Sequence, residues 1–499
     1  MCWSTAASTQ GALNANIFQH DRQDVGVTTT STISTEQPAH RWPALVICLL
    51  AGFMTLLDVS IVNVALPSMQ QGLQAPPIAL AWVVSGYALT FGLVLVPSGR
   101  LGDDRGRSRM FVLALLLFTA ASAIAGFATG PLWLVIARLV QGAAGGMLNP
   151  QILGLIQALF HGPERGKAFG LFGAVVGLST AIGPLLGGLI IEVAGAEDGW
   201  RWVFFVNVPI GLAALVFARK YLPRDLPSGP AQSLDLIGVL LLAATLLSVL
   251  LPLVERESSS GTPWWFMLAA PVLLVLFVLW ERRYRDRGRQ PLVDIRLFGI
   301  GSYSFGSALG MVYFAGFTSI FFVLALYLQH GLGYSPLLAG LSMTPFAIGS
   351  AVSSAASGRL VHRFGRSLVV LGLVAALAGL VLTDVLLGAG FGRMAGAVAA
   401  PALLLAGIGS GAVISPNQTV TLSEVDSASG GTAAGVQQTG QRLGTAIGTA
   451  TASGLFFSSV TEGGWDAAIS TGLLVAVGFV ALALLIAVAE QLVVTRRRR

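Results

Sequence analysis

The sequence predicts an all-α integral membrane protein. It should have fourteen transmembrane helices, in two pseudo-symmetric six-helix bundles with two inserted linker helices. Three observations carry this. The 499-residue chain is 54% hydrophobic and only 10% charged, against roughly 25% charged residues in an average soluble protein. Apolar runs close to the ~20 residues a helix needs to cross the hydrocarbon core follow one another along the chain. Finally, the charged loop Gly99-Arg-Leu-Gly-Asp-Asp-Arg-Gly-Arg-Ser-Arg109 recurs, thinner, as Gly358-Arg-Leu-Val-His-Arg-Phe-Gly-Arg366. Gly99, Arg100, Leu101, Gly106 and Arg107 map onto Gly358, Arg359, Leu360, Gly365 and Arg366. Such an internal duplication implies two related halves.

The first half offers spans near 43–67, 79–98, 110–129, 132–154, 168–190 and 202–219. Two further spans lie near 235–253 and 264–280. The second half offers 303–328, 337–357, 367–388, 394–416, 433–456 and 468–489. The expected domains are a disordered polar tail (1–40), a six-helix bundle (41–221), a two-helix insert (222–299), a second bundle (300–490) and a basic tail (491–499). Pro223, Pro227 and Pro230 mark residues 222–233 as a linker. No cleavable signal peptide is expected before the first apolar run.

Basic residues orient the chain. Arg100, Arg105, Arg107 and Arg109, then Arg165 and Lys167, then Arg219, Lys220 and Arg224 fall on one side. So do Arg282 to Arg289, Arg359 to Arg366 and Arg496 to Arg499. The opposite loops are nearly free of them, with Arg201, Arg256 and Arg393 as isolated exceptions. Both termini are therefore expected in the cytoplasm of a multi-pass plasma-membrane protein.

The formal net charge of +6 is spread in short clusters between apolar segments. That suits an anionic inner leaflet and not a nucleic-acid interface. Cys2 and Cys48 form no metal spacing, and the five histidines are scattered. No metal, cofactor or nucleophile–base pair is expected, and no phosphate-binding Gly-x-x-x-x-Gly-Lys-Ser/Thr loop is present.

Several motifs remain. Leu57-Asp-Val-Ser-Ile-Val-Asn-Val-Ala-Leu-Pro67 closes the first span, and Arg138-Leu-Val-Gln-Gly142 sits in the fourth. Gly183-Pro-Leu-Leu-Gly-Gly188 lies in the fifth. Trp200-Arg-Trp-Val-Phe-Phe-Val-Asn-Val-Pro209 and Tyr327-Leu-Gln-His-Gly-Leu-Gly-Tyr-Ser-Pro336 flank later spans. With the Gly99–Arg109 loop, in this order, they make the chain resemble the fourteen-helix drug/proton antiporter branch of the major facilitator superfamily. The resemblance covers roughly residues 41–490.

That resemblance implies a non-enzymatic antiporter that exports hydrophobic or cationic drugs or antibiotics in exchange for protons. Its partners would be a small-molecule substrate, protons and lipid, with no nucleic acid, and the chain would act as a monomer. The rivals are a dedicated exporter of one metabolite (a siderophore or self-made antibiotic), an importer, and a non-transporting membrane enzyme or sensor.

Asp58 lies 9 residues before Pro67 and Arg138 lies 7 after Pro131, about 13 and 10 Å from the outer helix ends. They can meet at similar depth. Asp58 would then bind the coupling proton while Arg138 sets its proton affinity, or the two form a static buried pair. In the loop, Gly99 and Gly106 permit tight turns and Asp103 can accept hydrogen bonds at a helix N-terminus of the opposite half. Leu101, Arg107 and Arg109 complete the motif. The resemblance implies a cytoplasmic latch; the alternative is a mere topology anchor. Gly183, Gly187 and Gly188, with Pro184 as a kink, would form a sliding or tightly packed helix surface. Phe53, Asn63, Trp82, Tyr87, Asn149, Tyr313, Phe321, Tyr327 and Gln437 are candidates to line a midplane cavity.

Overall fold

The computed structural model describes residues 40–498 apart from 196, 224–234 and 255–263. Most of the expected N-terminal tail, Arg256 and the linker prolines Pro227 and Pro230 lie outside the described residues. Within them the fold is all-helical, without strands. Thirteen helical segments are long and apolar enough to cross a membrane.

The first half opens with α1 (Arg41–Leu73), α2 (Pro77–Arg105) and α3 (Arg107–Gly126). It continues with α4 (Pro131–Leu159), α5 (Gly162–Ala194), α6 (Gly199–Phe205) and α7 (Asn207–Tyr221). Pro131 and Pro163 start α4 and α5, where a missing N–H costs nothing. The expected sixth span is divided between α6 and α7 at Val206. Arg201, one of the out-of-place cations, has a local task. It donates to the Gly126 and Ala128 carbonyls at 3.1 and 2.6 Å and pairs with Asp198 at 3.0 Å. It thereby caps the C-terminal end of α3.

Next come α8 (Leu236–Val254) and α9 (Ala269–Asp286). Leu246 and Leu250 of α8 pack with Leu89 of α2 and, across the molecule, with Leu443 and Ala446. The pair therefore touches both halves. The outer face of α9 is apolar and exposed at Val272, Leu274 and Val275, as a lipid-facing surface must be.

The second half comprises α10 (Gly301–Leu326), α11 (Pro336–Phe364), α12 (Arg366–Gly388), α13 (Ala395–Thr421) and α14 (Gly430–Arg498). The two duplicated loops turn alike: Gly106 (φ 106°) joins α2 to α3, and Gly365 (φ 51°) joins α11 to α12. The 69 residues of α14 comprise two helical stretches that fold back on each other, with Ser459 bonded to Thr471 at 3.0 Å. The break between them falls at Gly464, whose φ of 80° and ψ of −172° are not helical.

Two main cores form, the first of which also takes in Tyr303, Leu422 and Ala433 of the second half. One surrounds Phe111, Phe118, Leu148 and Phe169, the other Leu309, Leu373, Phe456 and Leu473. Small residues set the helix spacing inside the second: a Cβ on Gly444 or Gly448 would run into the Met311 or Ala315 carbonyl of α10. Gly440, one turn earlier, meets nothing closer than 3.8 Å. Gly448→Val should lower the melting temperature of the purified protein, since overpacking costs about 1–3 kcal/mol. Gly478→Val, at a site open to its surroundings, should leave it unchanged within error.

Candidate functional site

The first half buries one carboxylate. Asp58 on α1 is fully buried, and Arg138 on α4 is 1% exposed. Arg138 Nη1 donates to Asp58 Oδ2 at 2.6 Å. Gln141 and Asn207 each donate to Asp58 Oδ1 at 2.9 Å. Both amides also reach Ser122 Oγ on α3 at 3.1 Å, and Ser122 donates to the Phe204 carbonyl at 3.0 Å. The Arg138 guanidinium further donates to the Val83 carbonyl at 3.1 Å and lies 4.1 Å from the Tyr87 ring centroid. Asp58 is thus held on both oxygens, as a buried charge requires.

Sequence reasoning foresaw the Asp58–Arg138 meeting from depth alone. It assigned no role to Gln141, Asn207 or Ser122. The signal for Gln141 was its spacing three residues after Arg138, on the same helix face. Asn207 falls within the Trp200–Pro209 motif, and Ser122 is a lone polar residue in an apolar run.

Between the halves lies a cavity of about 930 Å³. Phe169 and Phe172 of α5 and Phe314, Phe317, Phe321 and Phe322 of α10 supply its aromatic wall. Asn63, Asn149, Gln418, Gln438 and Gln441 supply amides. Its far end reaches Pro67 and His330, at the helix ends opposite the Gly99–Arg109 loop. Arg442 lines it as well. A smaller lobe of about 60 Å³ adjoins it, lined by Asn63, Tyr87, Phe91, Arg138 and Arg442 among others.

Of the expected lining residues, Asn63, Asn149 and Phe321 border the cavity and Tyr87 borders the lobe. Phe53, Trp82, Tyr313, Tyr327 and Gln437 border neither, which corrects that expectation. Tyr327 is held in the second core and donates to Asp466 at 2.9 Å. Tyr313 donates to Ser410 at 2.7 Å, and fully buried Gln437 accepts from Gln418 at 2.9 Å. Trp82 packs beside Leu89 and Leu246. Phe53 is half-buried. The side chains of Tyr313, Tyr327 and Gln437 bond within the second bundle and that of Trp82 packs by α8, and amino-acid type alone does not reveal that.

At the opposite end, Asp103 grips the start of α14. It accepts from the Gly431 and Thr432 N–H groups at 3.0 and 2.8 Å and from the Thr432 hydroxyl at 2.8 Å. Arg107 bonds Asp103 at 2.7 and 2.9 Å, the Gly154 carbonyl at 2.9 Å, and the Ser427 carbonyl of the second half. Gly99 allows the approach, since a Cβ there would collide with the Gly431 carbonyl. Gln157 reinforces the contact by donating to Leu422 and Val425 carbonyls at 3.2 and 2.9 Å. Leu101 is half-buried and Arg109 exposed at the loop's flanks. The second copy is built differently. Arg366 pairs with Glu490 at 2.7 Å and bonds Asn417, all within its own half.

The glycine motif of α5 divides. A Cβ on Gly183 would strike Ser60 of α1, and one on Gly187 would come 2.9 Å from Ile61. Pro184 borders the cavity. Gly188 has nothing within 4 Å, so the expectation of close packing there is corrected: it lies on the open face of the helix.

Two helical bundles around a central cavity, with a buried ion pair to one side, define a membrane transporter of the two-bundle type. Residues 48–449 match the Major Facilitator Superfamily, and the chain belongs to that family. It is 37% identical over 423 residues to a probable actinorhodin transporter of Streptomyces coelicolor, covering 84% of this chain and 73% of that one. It is also 37% identical over 435 residues to puromycin resistance protein pur8 of Streptomyces alboniger, covering 86% and 84%. The crystal structure of the human organic anion transporter MFSD10 (TETRAN) superposes with a TM-score of 0.65 at 18% identity. It covers 90% of this chain and 100% of that one, and shows the fold alone. The chain is a multi-pass membrane transporter, not an enzyme.

Two outcomes follow from this geometry. Gly183→Val should abolish transport or assembly, whereas Gly188→Val should retain wild-type transport, measured on equal amounts of inserted protein. Asp103→Ala should open the latch end. With Cys2 and Cys48 replaced by Ala, maleimide labelling of a cysteine at Val436 should rise about tenfold, as expected for losing charge-assisted bonds across the seam.

Proposed function

We propose that this chain is a proton-coupled antiporter that exports hydrophobic drugs or antibiotics across the plasma membrane by alternating access. The observation that carries the reading is the link between Asp58 and the cavity. Asp58 is buried on Arg138, and Arg138 forms part of the wall of the lobe beside the main cavity. A proton arriving on Asp58 cancels its ionic attraction to Arg138. The charge presented to the lobe then changes, and with it the affinity for a bound compound. The electrical part of the proton gradient supplies about 2.3 kcal/mol per charge per 100 mV.

In this reading the Asp103 contact holds the cytoplasmic side shut while the cavity opens at the Pro67 and His330 end. Gly464 divides the last long helix into two crossings, which brings the total to fourteen and leaves both termini in the cytoplasm. The helices α8 and α9 are then a linker pair resting on both bundles. The names of the relatives, one a probable actinorhodin transporter and one a puromycin resistance protein, support export as the direction. A dedicated exporter of one compound and a broad drug exporter share this chemistry.

In proteoliposomes with an imposed pH gradient, Asp58→Asn should abolish gradient-driven efflux of a drug that the wild type exports. Drug binding and membrane insertion should persist, because Asn keeps the shape and one acceptor oxygen. Efflux at the wild-type rate by this variant would overturn the coupling role.

A further inference from the structure

We propose that the exported compound carries an anionic group, a carboxylate or a comparably acidic oxygen, which seats between Arg442 and the Tyr87 hydroxyl. The proposal rests on the export reading and narrows its substrate class.

The charges around the cavity do not balance. Among the described residues its lining includes no aspartate or glutamate; Arg442 is its one arginine, and His330 sits at the outer end. Arg138 is matched by Asp58. Arg442 forms no ion pair among the described residues, and its guanidinium rests 4.3 Å from the Phe91 ring centroid. A guanidinium deep in a membrane protein ordinarily has a carboxylate or carbonyl partner. Here the position a counter-ion would take is occupied by the wall of a ligand cavity.

The lobe supplies the rest of the recognition. Arg138 and Arg442 both border it, beside Tyr87 and Phe91. The Tyr87 hydroxyl is buried and has no hydrogen-bond partner. Tyr87, with its unpartnered phenol O–H, and the Arg442 guanidinium both border this small space; both groups are donors, and donors recognise an oxyanion. Asp58 cannot answer them, because its oxygens are already held by Arg138, Gln141 and Asn207. At about 60 Å³ the lobe holds a group of a few heavy atoms. Val59, Asn63, Val84 and Arg442 border the lobe and the main cavity alike, so one molecule can occupy both. Its acidic end would enter the lobe while an aromatic body lies against Phe314, Phe317 and Phe321. A cationic head in the same place would face two guanidiniums and a carboxylate with no free oxygen.

Binding of pyrenebutyrate, its methyl ester and pyrenebutylamine to the full chain in zwitterionic nanodiscs tests this. Wild type should bind the carboxylate at least about tenfold more tightly than the ester, and the amine most weakly. Arg442→Gln should bring the carboxylate-to-ester ratio close to one, Arg442→Lys should keep most of it, and Tyr87→Phe should reduce it several-fold. An unchanged ratio in Arg442→Gln, or a wild-type preference for the amine, overturns the proposal. So does competition by added anionic lipid that removes the carboxylate preference, since that assigns the lobe to a headgroup. Proton-driven efflux of the methyl ester from proteoliposomes tests the export reading separately. If the ester is exported and no carboxylate preference exists, only the anion proposal falls.

Discussion

A carboxylate in the middle of a lipid-embedded bundle must be met by donors before the helices around it can close. Asp58 organises the first half in this way. Its two oxygens draw Arg138 and Gln141 from α4 and Asn207 from α7, and Ser122 ties α3 to the same node. Removing one partner of such a buried pair costs about 3–5 kcal/mol, because the remaining charge is left uncompensated. The second half answers the same constraint elsewhere. Arg366, Glu490 and Asn417 form its buried polar cluster, at the end where the duplicated loop turns. Each bundle thus holds a buried ion pair of its own, closed by side chains of the same half.

The seams between the bundles obey a different rule. There the backbones themselves approach. Gly99 lies against Gly431 where α2 meets α14, and Gly358 lies against Gly166 and Gly170 where α11 meets α5. These are equivalent places in the duplicated halves. Only the first is fastened by an acid, because Asp103 has His362 at its counterpart position. The shared glycines make both seams close enough to form. Asp103 and Arg107 add a directional lock to one of them, and hydrogen bonds to backbone N–H groups can be made and broken as units.

Hydropathy made the helices legible because lipid demands long, unbroken apolar runs with every backbone group satisfied internally. It was less informative wherever direction around a helix mattered. Asp58 and Arg138 could be paired by depth, since buried charges seek each other and depth follows from counting residues. Gly183 and Gly188 could not be told apart, because five positions on a helix separate packed from open faces and the neighbour is supplied by another part of the chain. Tyr327 and Gln437 failed as cavity residues for the same reason. Arg442 was visible as a charge within a span, but its isolation was not. That depends on which residues of both halves surround it, and sequence spacing carries no such information.

In the proposed reading, the lobe between Arg138 and Arg442 sets how a proton on Asp58 and a bound compound affect one another. Coupling requires that each ligand alter the free energy of the other, and reciprocally so. With Asp58 ionised, the three charges that bear on the lobe (Asp58, Arg138 and Arg442) sum to one positive charge. An anion in the lobe would neutralise it. With Asp58 protonated, the same set carries two positive charges, and an anion is held more strongly still. Carriage of an anion would therefore favour proton uptake at Asp58 in the loaded state, whereas antiport requires the two to travel in opposite directions. In the proposed cycle, a conformational change that moves Arg138 away from the lobe between loading and release would remove the conflict. The Tyr87 ring against the Arg138 guanidinium is the contact such a change must break. In that reading Arg138 is the residue that decides between co-binding and exchange.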